Sequence, residues 1–422
     1  MICFICSIVF ASSIFAKPIE LAFWHSMAGS LGDEVKWLTN SFNQSQTKFI
    51  IKPVYKGDYI ETLTSFAAAF RAHHPPALIQ IFEVGSATML FPSGVIKPVD
   101  DIINEQGLTL PKEDFLQSVL KLYSLGDKLM AMPLNISVPI LYYDKDALAK
   151  VGYNKNNFPK TWEDLEILAK SLKKAGFQCT YTTAYPGWIL VESYLAIHGL
   201  PLLQSSPTRA IFNSQALQRH LTRLKTWQRQ GYFKYGGRVD DATALFTSGV
   251  CPLFSQSSGA YNSLSTLVSF HLGLAVMPLD TQTSTMRHPN VTGGAALWAI
   301  SGLTPIQYEG IGEFLVFLAR PEIQQHWHEH TGYLPIGLQG IYRRIYQSSN
   351  HPAIKLAKND LEPPGYFPVT HIIGPQNQIR NVNDELLESM FAGIIPVGVA
   401  LQEAVTRSNH IIFRFSKNNL SD

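Results

Sequence analysis

The feature that most constrains the fold is the alternation of two hydrophobic periods along the chain. IELAFWHS (19–26) reads as a buried strand, LGDEVKWLTNSFN then sets Val35, Leu38 and Phe42 at helical spacing, and KFIIKPVYK (48–56) returns as a strand. This is a βαβ unit. The pattern repeats at once: Asp58 can cap a helix carrying Leu63, Phe66 and Phe70, the Pro75-Pro76 pair stops it, and ALIQIFEV (77–84) follows as another strand. Helix-then-strand repetition predicts parallel pairing, so the fold class is α/β with helices covering the sheets. In such sheets ligands gather beyond the carboxyl ends of the strands, which makes residues just after these strands the first candidates for contacts.

Further along, Thr161 precedes the helical WEDLEILAKSLKKAG, with Leu165, Leu168 and Leu172 on one face, and FQCTYTTA (177–184) reads as a strand. Helices are expected near 214–230, 308–320 and 383–392, and strands at CPLFSQ (251–256) and LGLAVMP (272–278). A chain of 422 residues that is 46% hydrophobic and 16% charged buries more than one core, so two lobes are expected. Its 34 basic and 32 acidic residues are interspersed, and a formal charge of +2 offers no footprint for nucleic acid or an anionic membrane. A small ligand is the partner to look for.

Residues 1–16, MICFICSIVFASSIFA, are apolar, end in small residues and are too short to span a bilayer comfortably. They read as a secretory signal peptide without the usual basic start, cleaved after Ala16, which predicts a soluble periplasmic protein. Cys3 and Cys6 would leave with it. Cys179 and Cys251 remain, and an oxidising compartment allows them either a disulfide or two buried thiols; their spacing is too long for a local metal knuckle.

No reactive constellation stands out. The chain has no G-x-S-x-G elbow, no Walker A loop and no G-x-G-x-x-G after its first strand. His326, His328 and His330 are the most metal-like group, with His326 and His330 on one helix face, but zinc wants three or four converging ligands, and the pattern reads as a solvated helix tail. His25 reads as a packed histidine in place of a general base, and the pairs Asp100-Asp101, Asp240-Asp241 and Asp384-Glu385 read as solvated faces or caps. More informative are FSQSSGAY (254–261), a strand end that offers hydroxyls and backbone N–H groups to an anion, and the Gly-Gly of VTGGAALW (291–298), where backbone can approach a ligand. Tyr55, Tyr59, Tyr185, Trp188 and Tyr333 are flat surfaces suited to a polyol.

These segments also carry a resemblance. FWHSMAGSLGDEV (23–35), YKGDYIETL (55–63), FEVGSATM (82–89), SVPILYYDKDAL (137–148), KTWEDL (160–165), SQSSG (255–259), GGAALW (293–298), WHEHTGYLPI (327–336) and QIRNVNDELLES (378–389) occur in this order. Together they resemble the glycerol-3-phosphate-binding proteins of bacterial ABC importers, relatives of the maltose-binding proteins, over roughly residues 19–417. The resemblance implies a two-lobe periplasmic-binding-protein fold that hinges shut on its ligand. It places the first lobe at 17–133 and 280–325 and the second at 134–279 and 326–422. Carried over residue by residue, the ligand contacts fall on Tyr59, Glu83, Ser137, Ser257, Gly294, Tyr333 and Arg380. Glu83 would accept from glycerol hydroxyls, and Arg380 would offer its guanidinium fork to phosphate.

One departure is visible. Where the family has Trp-x-x-Trp, this chain has Tyr185-Pro-Gly-Trp188, which changes the volume and hydrogen bonding of the pocket and admits glycerophosphodiesters such as glycerophosphocholine beside sn-glycerol 3-phosphate. The resemblance further implies membrane permease subunits as partners, a monomer, no cofactor and no catalysis. Two competitors are an oligosaccharide-binding importer protein, and a periplasmic glycerophosphodiester hydrolase with His25 or Glu83 as base.

Overall fold

The computed structural model describes residues 17–205, 207–361 and 374–419, so the expected export signal at 1–16 lies outside the described residues. The first sheet contains β1 (Ile19–His25), β2 (Phe49–Tyr55), β3 (Leu78–Phe82) and β4 (Met132–Ser137). The second contains β5 (Pro139–Asp144), β6 (Tyr181–Thr183), β7 (Leu253–Ser257) and β8 (Leu272–Val276), while β9 (Gly293–Ala299) returns to the first. Strand order is β2-β1-β3-β9-β4 in one sheet and β8-β5-β7-β6 in the other.

The opening βαβ units form as the hydrophobic periods require. In β1, Leu21, Phe23 and His25 are buried in alternation, and β1 pairs in parallel with both β2 and β3. Helix α1 (Gly29–Ser45) turns Val35, Leu38 and Phe42 onto the sheet. Helix α2 (Tyr59–Arg71) begins with a capping box: the Asp58 carboxylate accepts from the Ile60 and Glu61 amides at 2.8 Å, and Glu61 reaches back to the Asp58 amide at 2.9 Å. The all-parallel expectation stops there. Strand β9 runs antiparallel to β3 and β4, because it re-enters this sheet from the opposite end after the chain has passed through the second one.

The passages between the sheets position everything that follows. Strand β4 ends at Ser137 and β5 begins at Pro139, so a single residue, Val138, carries the chain across. The return lies between Val276 and Gly293. Asp280 still belongs to the second body, where its carboxylate accepts from Tyr194 at 3.0 Å and pairs with Arg223 at 3.0 Å. The limit expected at 279/280 therefore precedes the change of sheet, and the one expected at 325/326 falls inside a helix. The second body holds α3 (Trp162–Lys174) and α4 (Gln215–Gln230); two helices then follow β9, α5 (Pro305–Leu318) and α6 (Pro321–Thr331), and the core around the first sheet includes Ile311, Phe314, Ile323 and Trp327 from them. Helix α7 (Gln376–Phe391) instead sends Ile379, Leu386 and Met390 into the core of the second sheet, where α8 (Val397–Asn419) adds Leu401 and Ala404. Among the described residues no helix is long and apolar enough to cross a membrane.

Cys179 and Cys251 form a disulfide. Each lies two residues ahead of its strand, and the bridge ties together the entrances of β6 and β7, which pair in parallel with Leu253 opposite Tyr181. A cross-link closing 72 residues removes denatured-chain entropy worth about 4 kcal/mol. Replacing both cysteines by serine should lower the urea midpoint correspondingly; an unchanged midpoint would mean that the bridge adds nothing to stability.

Candidate functional site

The site is assembled from element ends. The Asp58 capping box holds Tyr59 at the first position of α2, and the Tyr59 ring stacks on Phe82, the last residue of β3, with centroids 5.2 Å apart and planes 14° apart. Glu83 follows Phe82 in a single 3-10 turn and is 4% exposed. Behind them runs a chain of buried amides: the Ser26 amide donates to Gln80 at 2.9 Å, and Gln80 donates to Asn135 at 2.7 Å. Asn135 and Tyr59 in turn hydrogen-bond Tyr333, opposing the upward push of burial on its phenol. Tyr123, fully buried, feels the charge of Glu83, and its hydroxyl has no partner among the described residues.

Ser137, Ser257 and Gly294 lie along the seam between the sheets. Ser137 ends β4 opposite Gly293, and Ser257 ends β7 opposite Pro139. The Ser257 hydroxyl accepts the Gly259 amide at 3.1 Å, starting a short 3-10 turn at the end of the strand. Val138 and Ser258 lock the seam, the Ser258 amide donating to the Val138 carbonyl at 2.8 Å and the Val138 amide to the Ser258 hydroxyl at 3.2 Å. Gly294 has φ +121°, and a Cβ there would sit 1.9 Å from the Asn135 carbonyl oxygen. Only glycine fits.

Tyr333 enters from the end of α6 through Gly332, which takes the left-handed conformation at φ 81°. The amide of Leu334 donates to Ile136 at 2.8 Å, and His328 holds the Tyr333 carbonyl through Nδ1 at 2.7 Å. The ring lies so close to Gly259 that a Cβ there would come within 2.6 Å of it. Trp188 closes the other side, 5% exposed, with an indole N–H that has no acceptor among the described residues and a ring edge against Gly293. Tyr185 meets Trp188 edge to face at 6.2 Å and holds φ at +43°, an uncommon angle for a tyrosine, with its amide bonded to Val239 at 2.5 Å.

Arg380, on α7, sits where these walls converge, with its side chain 13% exposed. Glu192 grips it twice, from Nε at 2.9 Å and from Nη2 at 2.6 Å, and Glu83 accepts from Nη1 at 2.7 Å. A guanidinium has five N–H donors; three are committed here, so among the described residues one hydrogen on each Nη has no partner. Gln376 supports Glu192 at 3.2 Å, and the Gly187 amide donates to Asp384 at 2.7 Å. The structure thus brings Tyr59, Glu83, Tyr185 and Tyr333 into mutual electrostatic reach and ties Glu83 to Arg380, while Ser137, Ser257, Gly294 and Trp188 line the adjoining seam.

Sequence reading missed Glu192 and misjudged Asp384. Glu192 lies in GWILVES (187–193), an apolar run that winds as a π-helix and turns its one carboxylate inward. Asp384 was grouped with solvated or capping carboxylates; Glu385 is indeed exposed and paired with Arg407, but Asp384 is half-buried against the Gly187 amide, and desolvation raises its pKa to about 6 despite that bond and Arg380. Burial likewise raises Glu83, against the pull of Arg380. His25 is packed, 4% exposed and held down near pKa 4 chiefly by burial. A neutral imidazole there accepts the Met27 amide at 3.3 Å.

Two α/β bodies joined by crossing strands, with a buried polar cluster on their seam, define a solute-binding protein. A family model described as "Bacterial extracellular solute-binding protein" matches residues 37–341. The sn-glycerol-3-phosphate-binding periplasmic protein UgpB of Escherichia coli strain K12 is 36% identical over 95% of this chain and 94% of its own, and that of Yersinia enterocolitica 36% over 99% and 98%. The chain belongs to this family of extracellular solute-binding proteins, and within it to the UgpB proteins. Among solved structures, UgpB from Mycobacterium tuberculosis in complex with glycerophosphocholine matches with a TM-score of 0.78 at 19% identity, covering 95% of this chain and 99% of that one. Maltose-bound MalE3 of T. maritima matches at 0.76 and 15% identity, covering 93% of this chain and 100% of that one. At such identities these two share the fold.

Because Gly294 combines a glycine-only φ with contact to backbone, Gly294→Ala should destabilise the protein by at least about 1–3 kcal/mol. Thermal unfolding checks this; an unchanged midpoint would show that β9 and β4 can separate at no cost.

Proposed function

We propose that the protein is the periplasmic capture component of an ABC importer for glycerol phosphate esters, taking sn-glycerol 3-phosphate or glycerophosphodiesters such as glycerophosphocholine. The observation that carries this reading is Arg380, largely buried on the seam with two N–H donors uncommitted among the described residues and hydroxyls and aromatic rings around it. The phosphate takes those two donors, the Ser137, Ser257 and Tyr333 hydroxyls and the Gly294 amide. Glycerol hydroxyls donate to Glu83 and lie against Tyr59, and Tyr185 and Trp188 face the remainder of the ligand. The names of the 36%-identical relatives support the same ligand class.

Glu83, Glu192 and Asp384 around a single arginine favour a diester within that class. A phosphomonoester brings close to two negative charges toward these carboxylates, whereas a diester brings one. A quaternary ammonium would also lie well against Tyr185 and Trp188. The first lobe then comprises the segments on the first sheet, up to Ser137 and again from Gly293 through α6; the second comprises Pro139 to about 290 and α7 onward. Closing the two about Val138 and the 276–293 return encloses the ligand and presents the closed form to two permease subunits, with no chemical step.

Thermal unfolding with glycerol 3-phosphate, glycerophosphocholine, maltose and inorganic phosphate tests the reading. A ligand at a hundredfold excess over its Kd adds about 2.7 kcal/mol. The midpoint should rise with the glycerol phosphate esters and not with maltose; a rise with maltose alone, or with none of the four, would overturn the assignment.

The Asp384 carboxyl gives a second prediction. With its pKa near 6 it is largely neutral at pH 5 and charged at pH 7, and its charge then adds to that of Glu192 against the pull of Arg380 and Arg238. A phosphodiester stays monoanionic across this range, so its affinity should fall roughly tenfold from pH 5 to pH 7. Asp384→Asn should flatten that dependence in calorimetric titrations; an equal pH slope in the variant would assign the effect elsewhere.

A further inference from the structure

We propose that Glu34, His326 and His330 form a binding site for a divalent transition-metal ion, best met by Zn2+, where α1 and α6 of the first lobe meet. The histidine-rich tail of α6 offers only two ligands on one face, four residues apart. The fold supplies the third. Glu34, in the first turns of α1, reaches across so that its Oε2 lies 3.0 Å from Nε2 of His326. One donor atom from each of the three side chains falls within 4.8 Å of the others.

The surroundings select the right tautomer of His330 and fix part of the geometry, while at His326 the Nε2 proton donated to Glu34 is the one a metal would displace. Nδ1 of His330 lies 2.9 Å from the His326 carbonyl and donates to it, which leaves Nε2 with the lone pair that a metal requires. The His326 ring is clamped between Trp37, stacked at 3.4 Å and 9°, and His330, stacked at 3.8 Å and 14°. Parallel rings cannot both aim in-plane lone pairs at one ion, so His330 must tilt about its Nδ1 hydrogen bond on binding, which its exposure permits. Glu34 and His326 have side chains only 19% and 24% exposed and need little movement.

Two imidazoles and a carboxylate suit Zn2+ above Mg2+ or Ca2+, which prefer all-oxygen shells. At distances of roughly 2.0–2.2 Å the three ligands leave a fourth tetrahedral position for water. The ion would staple α1 to α6, and α6 runs directly through Gly332 into Tyr333 of the cleft. Metal binding therefore bears on the element that delivers a ligand contact, although the site itself lies outside the cluster around Arg380.

The test uses untagged protein freed of metal with a chelator and titrated calorimetrically with ZnCl2, with Co2+ absorption as a probe of coordination. The wild type should bind one equivalent saturably and melt at a higher temperature with zinc. His330→Ala and Glu34→Gln should each weaken zinc binding at least about tenfold and abolish the thermal shift, since even outer partners of a metal site are worth that much. Both should leave the metal-free melting temperature and glycerophosphocholine binding unchanged. The adjacent exposed pair His73 and His74, just beyond α2, serves as the control: replacing both with alanine should leave zinc binding unchanged. Absence of saturable binding in the wild type, undiminished binding in both variants, or loss only in the His73/His74 control would overturn the proposal.

Discussion

The grip of Glu192 and Glu83 on the Arg380 guanidinium is the interaction on which the arrangement of the cleft depends. A buried guanidinium has to be neutralised and hydrogen-bonded, because an unpaired charge in that position costs several kcal/mol. Its partners come from both bodies of the molecule: Glu192 from the π-helical turn beside the second sheet, Glu83 from the 3-10 turn that ends a strand of the first. Arg380 thus fixes the relation of α7 to two distant turns at once. Its planar fork lets it do so with one hydrogen on each Nη still uncommitted among the described residues.

In the proposed reading, that same cluster is how a chain with a formal charge of only +2 recognises an anion. One permanently charged group, already desolvated and immobilised, does more than several mobile surface lysines, because little further ordering is needed when the ligand arrives. The surrounding carboxylates set the other limit. They hold the arginine in place, and in the reading proposed here they repel excess negative charge, which would make the site discriminate by ligand charge as well as by shape.

Much of the scaffold was legible in the sequence. Alternating burial in IELAFWH, the helical spacing of Val35, Leu38 and Phe42, and the Asp58 cap that sets Tyr59 all follow from local rules and recur in the structure. The residues that the family resemblance selected also meet on the seam. Less visible was whatever depends on contacts far apart in the chain. Glu192 is hidden in an apolar run and Asp384 beside an exposed Glu385, and the groups that define their environments, Arg380 and Gly187, lie 188 and 197 residues away from them. The disulfide and the antiparallel return of β9 are long-range in the same sense, and so is the approach of Glu34 to His326 across 292 residues. Periodicity reports which face of an element is buried; it does not report what that face meets.

The account stands or falls on whether Arg380 binds the phosphate group of a glycerol ester. Calorimetric titration of glycerophosphocholine into the wild type and into Arg380→Ala measures this directly, with circular dichroism used to verify that the variant remains folded. Loss of both charge-assisted donors should weaken binding by roughly a hundredfold or more, at about 1.5–3 kcal/mol for each hydrogen bond to a charged group. Equal affinity in the folded variant would contradict the account, because the ligand would then lie away from the guanidinium around which the cleft is built.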